Sequence, residues 1–215
     1  MAIAATTISL AVAREVRARI MSGELPAGAR INEVHLARSL EVSRTPLREA
    51  LTRLVGEAFV DVKPNRGFFV RPLSVEEVTQ LYPIRARLDP WALSLAGIPG
   101  AAVQRELADL NQQIARSGAD ATAVVDLDDQ WHELLVAACP NRVLVELIRQ
   151  MMWRTRRYEL LYFRTPAHVA SAVRTHAKIL ASLRRDQLSV ACRQLEDNMS
   201  EASPALLRAV AELSS

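Results

Sequence analysis

A chain of 215 residues, half of them hydrophobic, is long enough to form one large domain or two small ones around a packed core, and this composition argues against a disordered chain. No run of about 18 apolar residues occurs that could cross a membrane as a helix. The opening segment MAIAATTISLAVAREV has no basic n-region and polar residues interrupt its apolar run, so no secretory signal peptide is predicted.

Positive charge is concentrated near the start of the chain. The formal net charge is +3, but residues 1–72 hold 11 Lys and Arg against 7 Asp and Glu, whereas the remaining residues hold 16 against 17. A local excess of positive charge favours contact with a polyanion, because phosphate contacts release condensed counterions. The N-terminal third is therefore the part in which a nucleic-acid partner is expected.

The two cysteines, Cys139 and Cys192, do not have the spacing of a metal-binding or redox pair. Both lie in apolar sequence of helical pattern, and we interpret them as buried thiols in a reducing compartment. Together with the lack of an apolar spanning segment, this pattern predicts a cytoplasmic protein that does not enter a membrane.

The opening part of the chain predicts two helices joined by a turn. Gly23 and Pro26 are expected to end the first helix, and the second is predicted from about residue 33 to residue 40. Between them, LPAGARIN predicts a turn and a short extended piece, in which Gly28 is the position most in need of a glycine. The inward-facing residues are predicted to be Leu10, Val12, Val16 and Ile20 in the first helix and Val34, Leu36, Ala37 and Leu40 in the second.

A helix, a short turn and another helix are predicted for residues 36–54, LARSLEVSRTPLREALTRL. Ser43 or Thr45 is suited to cap the later helix, and Pro46 is tolerated in its first turn, where backbone N–H groups have no intrahelical partner. Its buried stripe is predicted to consist of Leu47, Ala50, Leu51 and Leu54. Its opposite face is predicted to expose Arg44, Thr45, Arg48 and Thr52.

A β-hairpin is predicted directly after these helices, in FVDVKPNRGFFVRPL. Two apolar segments, residues 59–62 and 68–70, flank residues 63–67, which contain turn-forming types. A basic hairpin behind a helix-turn-helix is typical of a wing. Its backbone and the Arg66 side chain can follow phosphates or enter the minor groove.

The exposed start of the third helix has the residue types of a DNA-reading element. Arg44 can donate two parallel hydrogen bonds to guanine O6 and N7, and the hydroxyls of Ser43 and Thr45 suit phosphates or base edges. A single amphipathic helix with a basic face is more often simply solvated. The preceding helix, the wing and the local charge excess together favour DNA binding over that interpretation.

From Pro72 onward the chain is helical in pattern. RPLSVEEV gives a proline followed by an N-cap serine, Ser74, and acidic residues in the first turn, so a domain boundary is predicted here. The predicted helices cover residues 74–96, 99–116, 120–138, 141–162, 166–184 and 187–213, with breaks or kinks expected near Pro83, Pro90 and Pro204. No repeat of fixed period is present, which favours a helical bundle over a solenoid.

A set of candidate metal ligands lies within this helical region. Asp128 and His132 in LDDQWHELL are four residues apart and share a helix face, and His176 opens RTHAKILASL on another helix. One carboxylate and two imidazoles from facing helices can form a metal site with open positions for water or a ligand. Spacing alone favours the simpler interpretation, in which these are hydrogen-bonded histidines and a common Asp–His helix pair.

The N-terminal sequence resembles a known family. It is similar to the winged helix of GntR-type bacterial transcriptional regulators in VRARIMSGELPAGARINEVHLARSLEVSRTPLREALTRL and in VKPNRGFFV, which lie within about the first 72 residues. The resemblance implies base and phosphate contacts at Ser43, Arg44, Thr45 and Arg48, and at Asn65, Arg66 and Gly67 in the wing. Ala58 departs from the family, which usually has glycine at this helix end; a positive φ there would strain an alanine modestly.

The helical region resembles the FCD-type effector domain found in the FadR branch of the same family. The resemblance rests on DLDDQWHELLVAACPNRVL, RTHAKILASLRRDQLSVACRQLEDNM and LYPIRARLDPWALSLA, and it covers most of residues 74–200. It implies a divalent metal ion, zinc or another transition metal, held by one aspartate and three histidines. Three of those positions are Asp128, His132 and His176. The fourth is Asn198, whose amide oxygen is a weaker and harder ligand than imidazole.

Other residues of the helical region have a simpler interpretation beside the functional one. Arg85 matches a recurrent arginine of that domain, so the resemblance implies that it pairs with a carboxylate effector; an ion pair with Asp89, one turn away, fits the spacing equally well. We interpret Arg154, Arg156 and Arg157, which lie in sequence of helical pattern, as a solvated face and not as a site. A place in the core or in a dimer interface is expected for Trp91 and Trp153.

The sequence and the resemblance together predict a mainly α protein with two domains. These are a winged helix-turn-helix at residues 1–72 and an all-α helical bundle at residues 73–215, which dimerises and binds an effector. The expected function is that of a transcriptional regulator and not of an enzyme: a homodimer that binds a roughly palindromic double-stranded DNA operator and responds to a small organic acid. Two alternatives stay open. Asp128, His132 and His176 could hold the metal of a hydrolase, or the bundle could serve for dimerisation alone.

Overall fold

The computed structural model describes residues 2–118 and 120–213, and the chain divides into two compact units between Leu73 and Ser74. The described residues form nine helices and one two-stranded sheet. The prediction of a mainly α fold, with a winged helix-turn-helix followed by a helical bundle, is confirmed. Within the same ranges, no helix has both the length and the apolar character needed to span a membrane.

The N-terminal unit contains three helices and a hairpin. Its elements are α1 (Ala2–Ser22), α2 (Glu33–Ser39), α3 (Arg44–Gly56), β1 (Val60–Lys63) and β2 (Gly67–Val70). Helix α3 is the centre of this unit, because it packs against α1, α2 and β1. The predicted stripe of α3 is buried in full: Leu47, Ala50, Leu51 and Leu54.

Helices α1 and α2 bury narrower faces than predicted. The residues buried as predicted are Val12 and Val16 in α1 and Leu36 and Ala37 in α2. In contrast, Leu10 is 45% exposed and Val34 is 48% exposed, so these two predictions were wrong. Each lies two residues before a buried residue, which places it about 200° around the helix and therefore on nearly the opposite side.

Helix α3 ends with a residue in the left-handed conformation. Ala58 has a φ of 59°. Its N–H donates to the carbonyl of Val55 (3.1 Å), and the N–H of Phe59 donates to the carbonyl of Leu54 (2.9 Å), which are the two bonds of a Schellman motif. Ala58 therefore adopts the left-handed conformation in which an alanine is modestly strained. The reversal turns Phe59 into the core, where it is 1% exposed.

The wing is formed by β1 and β2, which pair antiparallel across a tight turn. Asn65 and Gly67 take positive φ values of 59° and 89° in that turn. Residues 28–31 lie along the other edge of β2, where the N–H of Ile31 donates to the carbonyl of Phe68 at 2.8 Å. The extended piece predicted before α2 therefore stiffens the wing from its second edge.

The C-terminal unit is a helical bundle. Its helices are α4 (Val75–Ala96), α5 (Ala101–Ser117), α6 (Ala121–Leu135), α7 (Arg142–Tyr162), α8 (Pro166–Leu183) and α9 (Leu188–Leu213). Helix α4 packs against α7 and α9, α5 packs against α6 and α8, α6 also contacts α7, and α9 also contacts α7 and α8. Polar side chains from separate helices can therefore meet inside the bundle.

Helix continuity and thiol burial differ from prediction in three places. Helices α4 and α9 run unbroken through their internal prolines, because the packing of these two helices along each other outweighs the backbone hydrogen bond that each proline removes. Helix α6 ends at Leu135, three residues earlier than predicted. Both cysteines are free, but only Cys139 is buried as predicted; Cys192 is partly exposed.

Candidate metal centre and nucleic-acid interface

The start of α3 presents its polar residues to solvent. Ser43, Arg44, Thr45 and Arg48 are all exposed. Ser43 takes the N-cap position, but its side chain makes no capping hydrogen bond, contrary to the predicted cap. Arg48 lies 3.3 Å from Glu33 and keeps 60% of its side chain exposed. Arg44 has no ion-pair partner among the described residues. This helix end combines two exposed cations with the partial positive charge of unpaired N–H groups, a combination that suits an anion.

The wing tip is also exposed and basic. Asn65 and Arg66 are in contact with solvent. The Arg66 guanidinium lies 5.7 Å and the Lys63 ammonium 4.5 Å from the centroid of the Phe69 ring, so one aromatic ring supports two cations. Gly67 adopts a φ of 89°, which a residue with a β-carbon would adopt only under strain. Gly67 therefore shapes this tip through its backbone.

Asp128, His132 and His176 meet in the interior of the C-terminal unit. One candidate ligand atom from each lies within 4.8 Å of the other two. Asp128 Oδ1 is 3.6 Å from His176 Nε2, and Asp128 Oδ2 is 3.7 Å from His132 Nε2. All three side chains are buried, and His176 is completely enclosed. These residues converge from α6 and α8, as the resemblance to the FCD-type domain implied.

Trp131 holds the imidazole of His176 in place. The indole stacks on that ring with 3.8 Å between centroids and 4° between planes. Trp131 is fully buried, so neither ring has room to rotate. The rings of His132 and His176 stand at 79° to each other and therefore present their nitrogens from two directions.

The two imidazole nitrogens that face Asp128 lack hydrogen-bond partners within the described ranges. The Nε2 atoms of His132 and His176 are buried and make no hydrogen bond to any described residue, although buried polar atoms are normally paired. Two imidazole nitrogens and one carboxylate are a donor set that zinc and other divalent first-row metals accept. The residues present therefore fit a divalent metal ion.

Burial sets the protonation of these ligands. It lowers the pKa of His176 to about 3, and it lowers the pKa of His132 well below its ordinary value, with His176 and Arg85 adding to the effect. Both imidazoles are therefore neutral near physiological pH, as metal coordination requires. Burial also raises the pKa of the Asp128 carboxyl well above its ordinary value, and Glu159 adds to this effect. A bound cation would counter that shift and favour the carboxylate form.

Negative charge exceeds positive charge around the cluster. Glu159 pairs with Arg85, and Asp129 pairs with Arg156 at 2.5 Å. Asp128 has the two histidines as its neighbours and no lysine or arginine partner in the described part of the chain. An unpaired carboxylate in a low-dielectric interior is unfavourable. A divalent ion at this point would offset the local excess.

Arg85 is enclosed and already has polar partners. It is 1% exposed. Its Nη1 donates to Thr155 Oγ1 at 2.8 Å and to the carboxylate of Glu159, while its Nη2 lies 3.7 Å from Asp89. The ion pair with Asp89 that the spacing allowed is therefore present, and Glu159 of α7 is an additional partner that the spacing did not indicate.

Asn198 lies on α9 and lines a narrow cavity that it shares with Asp128. It is only partly buried, unlike the other three candidate ligands. Tyr82 and Glu159 line the same cavity, and the Tyr82 hydroxyl is buried without a hydrogen-bond partner among the residues described. The cavity thus offers amide, hydroxyl and carboxylate groups beside the Asp128 carboxylate.

The prediction of a solvated arginine face on α7 is confirmed for Arg154 and is wrong for Arg156 and Arg157. Arg156 and Arg157 are buried, whereas the Arg154 side chain keeps 44% exposure. Arg157 pairs with Glu77 of α4 and donates to the Tyr158 hydroxyl at 2.8 Å. The pattern of one helix does not reveal acidic partners on another helix, which is why these arginines looked solvent-facing in sequence.

Two tryptophans lie outside the core. Trp91 is 52% exposed and Trp153 is 47% exposed, so the core alternative is wrong for both. Trp91 shares one face of α4 with two other exposed apolar residues, Ile84 and Leu95. The alternative of an interface between copies of the chain stays a prediction for these residues.

Two polar residues beside the histidines were not predicted as site residues. Asn111 Oδ1 lies 3.2 Å from His176 Nδ1, and Asp89 Oδ2 lies 3.6 Å from His132 Nδ1. The sequence carries a signal for Asn111, because this residue lies between Leu107 and Ile114 in the buried stripe of α5. An amide at such a position needs a buried partner.

Two family models match the chain. The first, described as bacterial regulatory proteins of the gntR family, matches residues 8–70. The second, the FCD domain, matches residues 80–201, which is more than half of the chain.

Relatives of the chain carry the names of transcriptional regulators. The Nta operon transcriptional regulator of Aminobacter aminovorans is 40% identical over 133 residues, which make up 60% of this chain and 62% of that protein. This match therefore spans less than two thirds of the relative's length. The HTH-type transcriptional regulator McbR of Escherichia coli K12 is 26% identical over 188 residues, 83% of each chain.

Solved structures share the architecture. A putative transcriptional regulator GntR from Rhodococcus sp. RHA1 superposes with a TM-score of 0.71 at 24% identity, covering 94% of this chain and 98% of that chain. E. coli McbR/YncC gives a TM-score of 0.70 at 22% identity, covering 97% and 99%. At these identities the likeness shows the fold alone.

Proposed function

Because the chain belongs to the GntR family of bacterial regulatory proteins and carries an FCD domain, we propose that it is a transcriptional regulator whose operator affinity responds to a small carboxylate bound with the help of a metal ion. The observation that carries this proposal is the buried cluster of Asp128, His132 and His176. This cluster lies in the same chain as a helix-turn-helix with an exposed basic end.

The DNA contacts are assigned to the start of α3 and to the wing tip. Arg44 is exposed and free of ion pairs within the described ranges, which supports direct readout of a guanine in the major groove. Arg48 would exchange its contact with Glu33 for a phosphate. The remaining contacts are assigned to Ser43, Thr45, Asn65, Arg66 and Gly67.

The metal ion is assigned to Asp128, His132 and His176, with Asn198 or water completing its coordination. The ion would supply open coordination positions to which a small organic acid binds. Three strong protein ligands suffice for zinc or another transition metal. An amide at the fourth position lowers the preference for zinc over metals that accept oxygen ligands.

The effector carboxylate is assigned to a position next to the ion, within reach of Arg85. The 3.7 Å contact between Arg85 and Asp89 is too long for a hydrogen bond, so it is the contact that an incoming carboxylate would replace. The bonds of Arg85 to Thr155 and Glu159 would remain. The acidic surroundings favour this order of events, in which the cation binds before the anion.

The active form is proposed to be a homodimer in the bacterial cytoplasm. Helix α4 carries an apolar stripe at helical spacing, in which Ile84, Trp91 and Leu95 are exposed and Leu88 is partly exposed. Contiguous exposed apolar surface of this kind marks interaction sites. A two-fold dimer would match a roughly palindromic operator. The effector would act by binding with different affinity to the two arrangements of the DNA-binding units.

The DNA assignment is tested with Arg44→Ala on duplexes that the wild-type protein enriches from a random pool. Loss of a bidentate guanine contact is expected to cost about 1–3 kcal/mol of sequence-specific affinity, measured by fluorescence anisotropy against an unrelated duplex. Arg53→Ala, at the other end of α3 and also exposed, is the matched control and is expected to change this specificity little. Unchanged specificity in Arg44→Ala would contradict the assignment.

The sensor assignment is tested by a thermal-shift screen of small carboxylates, run with added divalent metals and with a chelator. A stabilisation by a carboxylate that requires the metal supports the proposed site and names the chemical class of the effector. Absence of any shift under every condition would favour a bundle that serves for dimerisation alone.

A further inference from the structure

Each histidine of the cluster has a polar partner on the side of its ring that faces away from Asp128. For His176 this partner is Asn111 of α5, whose Oδ1 lies 3.2 Å from Nδ1. For His132 it is Asp89 of α4, whose Oδ2 lies 3.6 Å from Nδ1. The Nε2 atoms of both rings face the two oxygens of Asp128 instead. Asn111 is therefore hydrogen-bonded to His176, whereas Asp89 lies just beyond hydrogen-bond distance of His132 and acts on it through its charge.

The orientation of the Asn111 amide is fixed by a second bond. Its Nδ2 donates to the carbonyl of Val173 at 3.0 Å, so the oxygen end of the amide is the one that faces His176. An amide oxygen only accepts hydrogen bonds, which places the proton of the neutral imidazole on Nδ1. Nε2 is then left with a free lone pair directed towards Asp128, as a metal ligand needs.

The same logic applies to His132, with a carboxylate in place of the amide. Neither oxygen of Asp89 has a hydrogen-bond partner among the described residues. An ionised carboxylate likewise only accepts, so it favours the tautomer of His132 that carries its proton on Nδ1. Asp89 also lies 3.7 Å from Arg85, the residue assigned to the effector. Asp89 therefore neighbours both His132, a candidate metal ligand, and Arg85, the candidate effector-binding residue.

We infer that Asn111 and Asp89 are positioning residues for the metal centre, which hold His176 and His132 in the tautomer and ring orientation that present both Nε2 atoms to one ion. Outer partners of this kind orient ligand histidines, and their loss weakens metal binding by roughly 10–100-fold. The inference rests on the proposed metal site. The alternative role for Asn111 is purely structural, as a polar link between α5 and the backbone of α8.

The test compares three substitutions on α5 in the full-length protein. Asn111→Leu removes the acceptor, Asn111→Asp keeps an oxygen acceptor for Nδ1, and Gln113→Leu makes a similar change at an exposed position two residues away. Zinc and cobalt affinities are measured by competition with a chromophoric chelator. Asn111→Leu is expected to bind either metal roughly 10–100-fold more weakly, with Asn111→Asp and Gln113→Leu close to wild type. Equal affinities in wild type and Asn111→Leu would overturn the inference.

A second readout does not depend on bound metal. Nitrogen-15 NMR of the metal-free wild-type protein reports which imidazole nitrogen carries the proton. His176 is expected to be protonated at Nδ1, and protonation at Nε2 would overturn the inference even if Asn111→Leu failed to fold. If the wild-type protein binds no metal while His176 carries its proton on Nδ1, the proposed metal function fails and the structural description of Asn111 stands. Failure of the proposed metal site and failure of the role inferred for Asn111 therefore give different results.

The role of Asp89 is tested in the same way. Asp89→Leu removes the carboxylate beside His132 Nδ1 but leaves the bond of Arg85 to Glu159 in place. Arg85 therefore keeps its ion pair with α7 in this variant. It is expected to weaken metal binding by roughly 10–100-fold. Wild-type affinity in Asp89→Leu would remove Asp89 from the proposal.

Discussion

Arginines of the two units have opposite environments. Arg44 in the winged helix is exposed and has no ion pair within residues 2–118 and 120–213, whereas Arg157 in the bundle is 1% exposed and is paired with Glu77. The first is free to meet a partner outside the chain, and the second neutralises a carboxylate inside it. The winged helix therefore presents arginine side chains at its surface, whereas the bundle encloses them in a polar network.

The largest expected effect is a difference in stability between substitutions of the buried arginine and of the exposed arginine. Arg157→Leu is expected to lower the free energy of unfolding by about 3–5 kcal/mol, because it removes the buried cation of Glu77 and leaves Arg154, which lies 3.3 Å away and is 44% exposed. Arg44→Leu removes an exposed side chain and is expected to change the same quantity by less than about 0.5 kcal/mol. Urea unfolding followed by circular dichroism measures both.

A double variant shows whether the unpaired charge causes that loss. Arg157→Leu combined with Glu77→Leu removes both charges and is expected to recover part of the stability, as replacement of a buried ion pair by apolar residues often does. Equal destabilisation by Arg157→Leu and Arg44→Leu would contradict the stated difference between a buried, paired arginine and an exposed one.

The next largest effect is the stabilisation of the protein by a bound metal ion, which is expected to depend on Asp128. Metal at about 100 times its dissociation constant is expected to stabilise the wild-type protein by about 2.7 kcal/mol, and Asp128→Asn is expected to lose this increment. Without metal, Asp128→Asn is expected to be as stable as wild type or more stable, because it removes a buried carboxylate that has no arginine or lysine partner in the described ranges. Lower stability of the metal-free variant would show that Asp128 serves the fold itself.

The smallest effect concerns the backbone of the winged helix. Ala58→Gly is expected to raise the free energy of unfolding by about 1 kcal/mol, because glycine adopts the φ of 59° without steric cost. Ala50→Gly, inside α3 and fully buried, is the matched control and is expected to lower it by about 1 kcal/mol or more. A loss of stability in both variants would contradict the strained C-cap.

The sequence predicted the N-terminal unit well because its signals are local. The buried stripe of α3 and the turn at the wing tip each depend on residues close together in the chain. Leu10 and Val34 are exposed because each is apolar but lies about 200° around the helix from a buried neighbour, so hydrophobicity alone does not give its side of the helix.

The sequence predicted the bundle only in part. Asp128, His132 and His176 were found because two of them share a helix face and all three match a family pattern. The sequence did not indicate the buried partners that come from other helices at distant positions in the chain. These are Glu159 beside Arg85, Asn111 beside His176, and the acidic partners of Arg156 and Arg157. Pairing across a bundle depends on how the helices pack, which the period of a single helix does not encode.

The proposed sensor depends on one divalent ion held by Asp128, His132 and His176. Anomalous diffraction from crystals grown with zinc or cobalt, measured on both sides of the absorption edge of the metal, tests it directly. An anomalous peak is expected about 2.0–2.2 Å from an Asp128 oxygen and from the Nε2 atoms of His132 and His176. Absence of such a peak from the cluster, with the metal in excess, would contradict the proposed metal site.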